Sequence, residues 1–198
     1  MTTVVTKDQY FEFALGVLAT SGSGGLNIGV LCRGLGVTSG SFYHHFGNWQ
    51  GFVEALLGFW ANRQVTFLKE VRFGTGSSEA DVEKLRDLAV NLHHSAEAAI
   101  RAWGANEERV RDALLRVDES RRKTVRKAIR GVIADPEVAT LLASLGMSIL
   151  VGYQQLSASG QGGNIAELLD EFVRLIYLHA ISAPGRVVRP AAEQASGR

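Results

Sequence analysis

The stretch LNIGVLCRGLGVTSGSFYHHFGNWQGFVEALL, Leu26 to Leu57, decides the fold class. Asn27 stands where a side-chain acceptor caps a helix opening at Ile28. Ile28, Leu31, Cys32 and Leu35 recur at threes and fours and make that helix's inner face, with Cys32 small enough to let a second helix cross closely. Gly36 supplies the positive φ that ends the helix and redirects the chain, Val37 fills the angle, and Thr38 caps a second helix reaching Phe46. Phe42 and Phe46, four apart, anchor that helix inward, so Ser39, Gly40, Ser41, Tyr43 and His44 point outward. This is helix-turn-helix spacing over roughly Asn27–Phe46. Small polar residues at a helix start suit close entry into a major groove, and Tyr43 and His44 have the reach to meet a phosphate or a base edge. The same spacing serves a plain helical hairpin with a polar outer face. Taken alone, it leaves open a DNA reader and an adaptor whose hairpin binds a protein.

Outward from this segment the chain reads as all-α. Phe11, Ala14, Leu15 and Leu18 stripe a helix from Lys7 to Ser21, closed by the glycine-serine turn Gly22–Gly25. Asn48 caps a longer helix whose stripe of Phe52, Leu56, Phe59, Arg63 and Phe67 runs to about Val71. After a loop at Gly74–Ser78, helices are expected near Glu79–His94, Ala96–Trp103, Glu107–Ile133, Pro136–Ser157 and Ile165–Ala183. Asp135 and Pro136 form a cap and first turn. The expected division is a head over residues 1–72, a helical body over 73–183, and a polar, small-residue tail over 184–198 expected to be disordered.

Composition narrows the classes. Hydrophobic residues make up 46% of 198, with a single cysteine and a net charge of +1, so neither a disulfide framework nor a strongly basic partner surface is indicated. Through Arg72 five basic side chains face four acidic ones, a weak footprint for a nucleic-acid reader. Lys7, Asp8 and Glu12 occupy the place of a signal peptide's apolar run, so a cytoplasmic location is expected. Val138–Leu156 is apolar but interrupted by Ser144, Ser148, Gln154 and Gln155, as in a buried helix and not a membrane span. No phosphate loop, nucleophile elbow or paired carboxylates beside a histidine occurs, so neither an enzyme nor a cofactor is expected.

Ile28, Cys32, Gly36-Val37 and Ser41-Phe42-Tyr43-His44-His45-Phe46 followed by Gly47-Asn48 resemble the tetracycline-repressor (TetR) family of bacterial regulators over about 45 residues. The resemblance implies a TetR-like fold of about nine helices with a ligand-binding and dimerisation body. It also implies a homodimer reading a palindromic operator, usually as a repressor, with a small-molecule effector in the body altering the separation of the heads. By position it places Ser39, Gly40, Ser41, Tyr43 and His44 at base or phosphate contacts, and Asn27 and Thr38 at helix starts facing the backbone. The chain departs from the family at Trp49, where a phosphate-contacting lysine is usual. Gly29 and Gly34 each weaken their helix by roughly 1 kcal/mol relative to alanine.

In the body, apolar and aromatic side chains surround a few polar ones, and an apolar or amphipathic ligand is expected among His93, Glu97, Trp103 and Tyr153. His93, His94 and Glu97 lack further metal-ligand partners, and no metal is expected there. Arg121, Arg122, Lys123, Arg126, Lys127 and Arg130 read as a solvated face. The last two helices carry wide apolar stripes, with Leu142, Leu145, Ile149, Leu168, Phe172 and Ile176 expected in a two-fold dimer interface. Ala139, Ala143, Gly146 and Gly152 are expected to permit close approach across it. Such a dimer sets two heads about 34–36 Å apart or a multiple of that, the spacing of successive major grooves.

Overall fold

The computed structural model describes residues 5–70 and 76–182, and among them all regular secondary structure is helical. The expected tail at 184–198 and the first two residues of the loop at 74–78 lie outside the described residues.

Three short helices form the head. Helix α1 (Lys7–Ser21) opens with a reciprocal cap in which Gln9 N–H donates to Thr6 Oγ1 and Thr6 N–H donates to Gln9 Oε1. Helices α2 (Ile28–Leu35) and α3 (Ser39–Phe46) start at Asn27 and Thr38, whose side chains accept from Val30 N–H at 3.0 Å and Ser41 N–H at 3.4 Å. Between them Gly36 adopts φ 65°, ψ 33°, the left-handed conformation expected of it. Helix α4 (Trp49–Glu70) follows, with Asn48 Oδ1 accepting from Gly51 N–H at 2.8 Å.

The body comprises α5 (Ser78–Val90), α6 (His94–Gly104), α7 (Glu108–Val132), α8 (Pro136–Ala158) and α9 (Ile165–Ser182). The expected break between α5 and α6 is corrected. Asn91 closes α5 by turning both its N–H and its side-chain amide onto Asp87 O, so His93 and His94 belong to the start of α6. Helix α7 lies at the centre and packs on α4, α5, α6, α8 and α9.

Packing groups these elements in a way chain order does not reveal. One core joins the head aromatics Tyr10, Phe11, Phe42, Phe46 and Phe52 to Trp60 of α4, Ile100 of α6 and Val110–Val117 of α7. A second core joins α5, the far half of α7, α8 and α9 around Ile129, Ala139, Ala143, Phe172 and Ile176. The head is therefore seated on α6 and α7 by continuous apolar contact. Helix α8 is long and apolar enough to cross a membrane by composition, but Ala139, Leu142, Ala143, Met147 and Leu150 on its inner face are buried in the protein.

Between the two cores runs a polar chain. Arg121 of α7 is buried and donates to Glu97 of α6 at 2.9 and 3.1 Å and to Gln64 Oε1 of α4 at 2.7 Å. Trp60 Nε1–H donates to the same Glu97 carboxylate at 2.9 Å. Arg101 holds Asp118 by two bonds of 2.7 Å and reaches Gln154 of α8 at 2.9 Å. Four helices are thus tied by charges that satisfy one another. The expectation that Arg121 lies on a solvated face is corrected; Arg122, Lys123, Arg126, Lys127 and Arg130 are exposed as expected. On the far side Tyr177 O–H donates to Glu83 at 3.0 Å, and burial first, then that bond, pushes the phenol up to about 12.

Candidate nucleic-acid interface and body cavities

The outer face of α3 is assembled by what lies beneath it. Phe42 is fully buried, and the Phe46 ring meets Phe52 at 5.0 Å and Tyr10 at 5.3 Å, both edge-on. With these two rings held, Ser39, Gly40, Tyr43 and His44 are exposed, and Ser41 is half-buried with Tyr10 Oη–H donating to it at 3.4 Å. A Cβ on Gly40 would meet nothing closer than Thr38 Oγ1 at 3.6 Å, so packing does not demand this glycine. Its effect is to bare the backbone at the exposed start of α3, which favours close approach of another molecule.

Trp49 does not project as a lysine would. Its ring lies nearly parallel to Phe42 (6.4 Å, 22°) and 5.3 Å from Phe52, bracing α3 against α4. Of the two glycines expected to weaken their helix, Gly34 has a steric reason, since a Cβ there would fall within the Phe13 ring; a Cβ on Gly29 would meet only the movable end of the exposed Arg33 side chain, at 3.2 Å, and the side-chain oxygen of Asn27, at 3.3 Å. Arg33 is exposed and folds its guanidinium over the first turn of α2 beside Asn27, a cation at the edge of the same face that no motif singles out.

Gly51 sets the angle between α3 and α4. A Cβ there would stand 2.3 Å from the Phe46 carbonyl oxygen, a backbone atom that cannot swing aside. Gly51→Ala is expected to destabilise the protein by about 1–3 kcal/mol despite alanine's better helix propensity. Chemical denaturation checks this, and a stabilised variant would contradict it.

The four residues expected to share a ligand pocket are not brought together. His93 is exposed before α6, whereas Glu97 is buried and bound by Arg121 and Trp60. Tyr153 meets His94 edge-on at 4.9 Å, and burial holds that imidazole below its ordinary value. Trp103 lines a cleft with Trp49 and Arg109 at the junction of head and body. Among the described residues no group of three or more histidine, cysteine or carboxylate side chains is placed to hold a metal ion.

The apolar cavities lie elsewhere. One opens between α5, α7, α8 and α9, bounded by Val82, Ile129, Phe172 and Ile176 with Arg86 at its edge. The other reaches from α5 and α8 towards Gln64 of α4 and Arg121 of α7. They share Leu85, Ala89, Val125, Met147 and Leu150 as walls.

The six residues expected at a dimer interface divide. Leu142, Phe172 and Ile176 are buried in the chain's own core, and Ile149 is half-buried. Leu145 and Leu168 remain 38% and 43% exposed, alongside Leu141 and Leu156 of α8 and Leu178 and Ile181 of α9. The role expected of the small residues is corrected in part: Ala139 and Ala143 are buried inside the chain, and Gly146 receives the Phe172 ring of the same chain, where a Cβ would lie 2.7 Å away.

No protein-family profile matches this chain, and no curated protein is similar to it in sequence. Solved structures share its fold. A transcriptional regulator from Rhodococcus sp. Rha1 superposes with a TM-score of 0.74 at 19% identity, over 91% of this chain and 100% of that one. A TetR transcriptional regulator from Legionella pneumophila gives 0.74 at 14% identity, over 88% and 98%. FadR of Bacillus subtilis, solved with stearoyl-CoA, gives 0.64 at 13% identity, over 88% and 99%. The all-helical fold of this chain is that of the TetR regulators.

Proposed function

We propose that this chain is a DNA-binding transcriptional regulator, a cytoplasmic repressor that binds a palindromic operator as a homodimer and answers to a small molecule held in its body. Residues 1–72 form the reading head and 73–183 the ligand-binding and dimerisation body. One observation carries the reading: α3 presents Ser39, Gly40, Tyr43 and His44 outward, with Ser41 half-buried beside them, while Phe42 and Phe46 pin its inner face. Small residues at the start of an exposed helix, with two longer polar side chains a turn on, match the demands of a major groove. Asn27 and Thr38 hold the starts of α2 and α3, whose free N–H groups and positive dipole ends favour phosphate, and Arg33 adds a cation beside Asn27. Trp49 is not left as an outward anchor for a protein partner: its ring is engaged with Phe42 and Phe52. The test is a mobility shift on the DNA upstream of the protein's own gene, run across salt concentrations. A retarded band that survives excess scrambled duplex supports the reading. Equal affinity for both duplexes would refute it.

The homodimer rests on the exposed leucines of α8 and α9, which form an apolar surface where a soluble chain otherwise places polar side chains. Leu145→Glu leaves the core untouched because Leu145 faces outward, and it should yield a folded monomer by sedimentation. Losing the second head removes its avidity, so operator affinity should fall by about 10²–10⁴-fold. An undiminished dimer would place the interface elsewhere.

The effector belongs in the adjacent apolar cavities that share Leu85, Ala89, Val125, Met147 and Leu150, not among His93, Glu97, Trp103 and Tyr153. FadR of Bacillus subtilis, with the same fold, is solved with stearoyl-CoA, so a fold of this kind accommodates an elongated molecule. Gln64 gives the cavity a direct contact with α4, the helix that leads back to the head.

A further inference from the structure

We infer that the cleft between Trp49 and Trp103, where head meets body, is a second small-molecule site, one that takes a zwitterionic aromatic molecule with the chemistry of an aromatic amino acid. It shares no residue with the apolar cavities of the body, and it stands whatever the head reads. Trp49, Gln50 and Val53 bound it from the first turns of α4, Trp103 from the end of α6, and Glu107 and Arg109 from the start of α7. It offers about 240 Å³, against about 60 Å³ in each apolar cavity. One water needs roughly 10–15 Å³, so a single-ring molecule has room.

Burial sorts this lining by polarity. Val53 is buried, the two indoles and Glu107 are half-buried, and Gln50 and Arg109 are exposed. An apolar ring therefore has a place inside the cleft and a charged head group a place at its mouth. Trp49 rests on Phe42 and Phe52, and Trp103 packs on the core that joins head to body, yet both keep part of their surface towards the cleft. Among the described residues no ring contact joins one indole to the other, so neither fills the space between them. A flat ring placed there gains the offset or edge-on contacts that aromatic pairs favour.

Charge decides what the ring must carry. Among the described residues neither Glu107 nor Arg109 forms an ion pair, with the other or with any further side chain, and Glu107 makes no side-chain cap on α7. A simple anion would meet Arg109 but be repelled by Glu107, and a simple cation the reverse. A molecule bearing both an ammonium and a carboxylate satisfies the two together, with the Gln50 amide as an uncharged partner beside them.

Isothermal titration of the purified full-length protein near neutral pH tests this with four probes. They are L-phenylalanine, 3-phenylpropanoate (no ammonium), 2-phenylethylamine (no carboxylate) and L-leucine (no ring). Phenylalanine is expected to bind at least about fivefold more tightly than any of the other three, the scale of one partly exposed ion pair. Glu107→Gln should weaken phenylalanine by a similar factor without weakening phenylpropanoate. Arg109→Gln should likewise weaken phenylalanine while sparing phenylethylamine. Neither change removes a cap or a core side chain, and circular dichroism confirms that each variant is folded. Failure of phenylalanine to bind at millimolar concentration overturns the inference, as does any other probe that matches it. Phenylalanine affinity unchanged in either folded variant overturns it too, because the molecule would then sit elsewhere. The operator shift is run without these probes, so failure here and failure of the regulator reading are distinguishable.

Discussion

Replacing Tyr43 and His44 together with alanine is expected to abolish detectable operator binding while leaving the protein folded and dimeric. Both side chains are exposed on α3, and neither holds the helix in place; Phe42 and Phe46 do that from the opposite face. Alanine at both sites also raises helix propensity, so the fold has no reason to weaken. A base-edge contact contributes about 1–3 kcal/mol, and two together correspond to a loss of about thirtyfold at the least and more than 10⁴-fold at the most. Fluorescence anisotropy on the operator measures the loss, and circular dichroism with sedimentation checks fold and assembly. A double variant that holds operator at near-native affinity would show that α3 is not the reading helix.

Arg121→Met should produce the largest loss of stability of any single substitution considered, about 3–5 kcal/mol. The guanidinium and Glu97 are both buried, and removing the cation leaves a carboxylate inside the protein with only Trp60 Nε1–H at 2.9 Å to satisfy it. Gln64 of α4 loses its partner at the same time, so the seat of the head on the body loosens. At about 2–4 °C per kcal/mol for a chain of this size, thermal unfolding should move down by roughly 6–20 °C. Adding Glu97→Leu should recover most of the loss, since an apolar pair removes the stranded charge and the two sites are directly coupled. A single variant within about 0.5 kcal/mol of the parent would mean that water reaches the pair.

Much of the head was legible because its determinants are local. A cap needs one side chain and one N–H three residues on, and a left-handed turn needs one glycine, so Asn27, Gly36, Thr38 and Asn48 declare the starts and stop of α2, α3 and α4 in order. Phe42 and Phe46 point inward because four residues make nearly one helical turn, and the outward set follows by elimination. The same local logic does not reach Gly34 and Trp49. There the deciding partner is Phe13 or Phe42, and only the folded backbone sets the approach.

The body was less legible, for a different reason. Helix α7 offers Arg121, Arg122, Lys123 and Arg126 almost side by side; Arg121 stands four residues from both Val117 and Val125, on the buried stripe, but a charge at that place reads as an interruption of the stripe and not as part of it. Its partner Glu97 is 24 residues away on α6, and an ion pair across two helices leaves no periodic trace. Helices α8 and α9 are apolar on more than one face, so hydrophobicity could not separate the leucines that fill the core from those left outside. Leu142 went in and Leu145 stayed out because α6, α7 and α9 cover one side of α8 and, among the described residues, the side that carries Leu145 is left exposed. The cavity followed from the same crossing. By itself the sequence determined which segments are helical and how α2 and α3 meet, because those are short-range demands on backbone and caps. Tertiary packing decided which charges are buried, where the empty space lies and which apolar face remains, because each depends on a neighbour that distance along the chain does not specify.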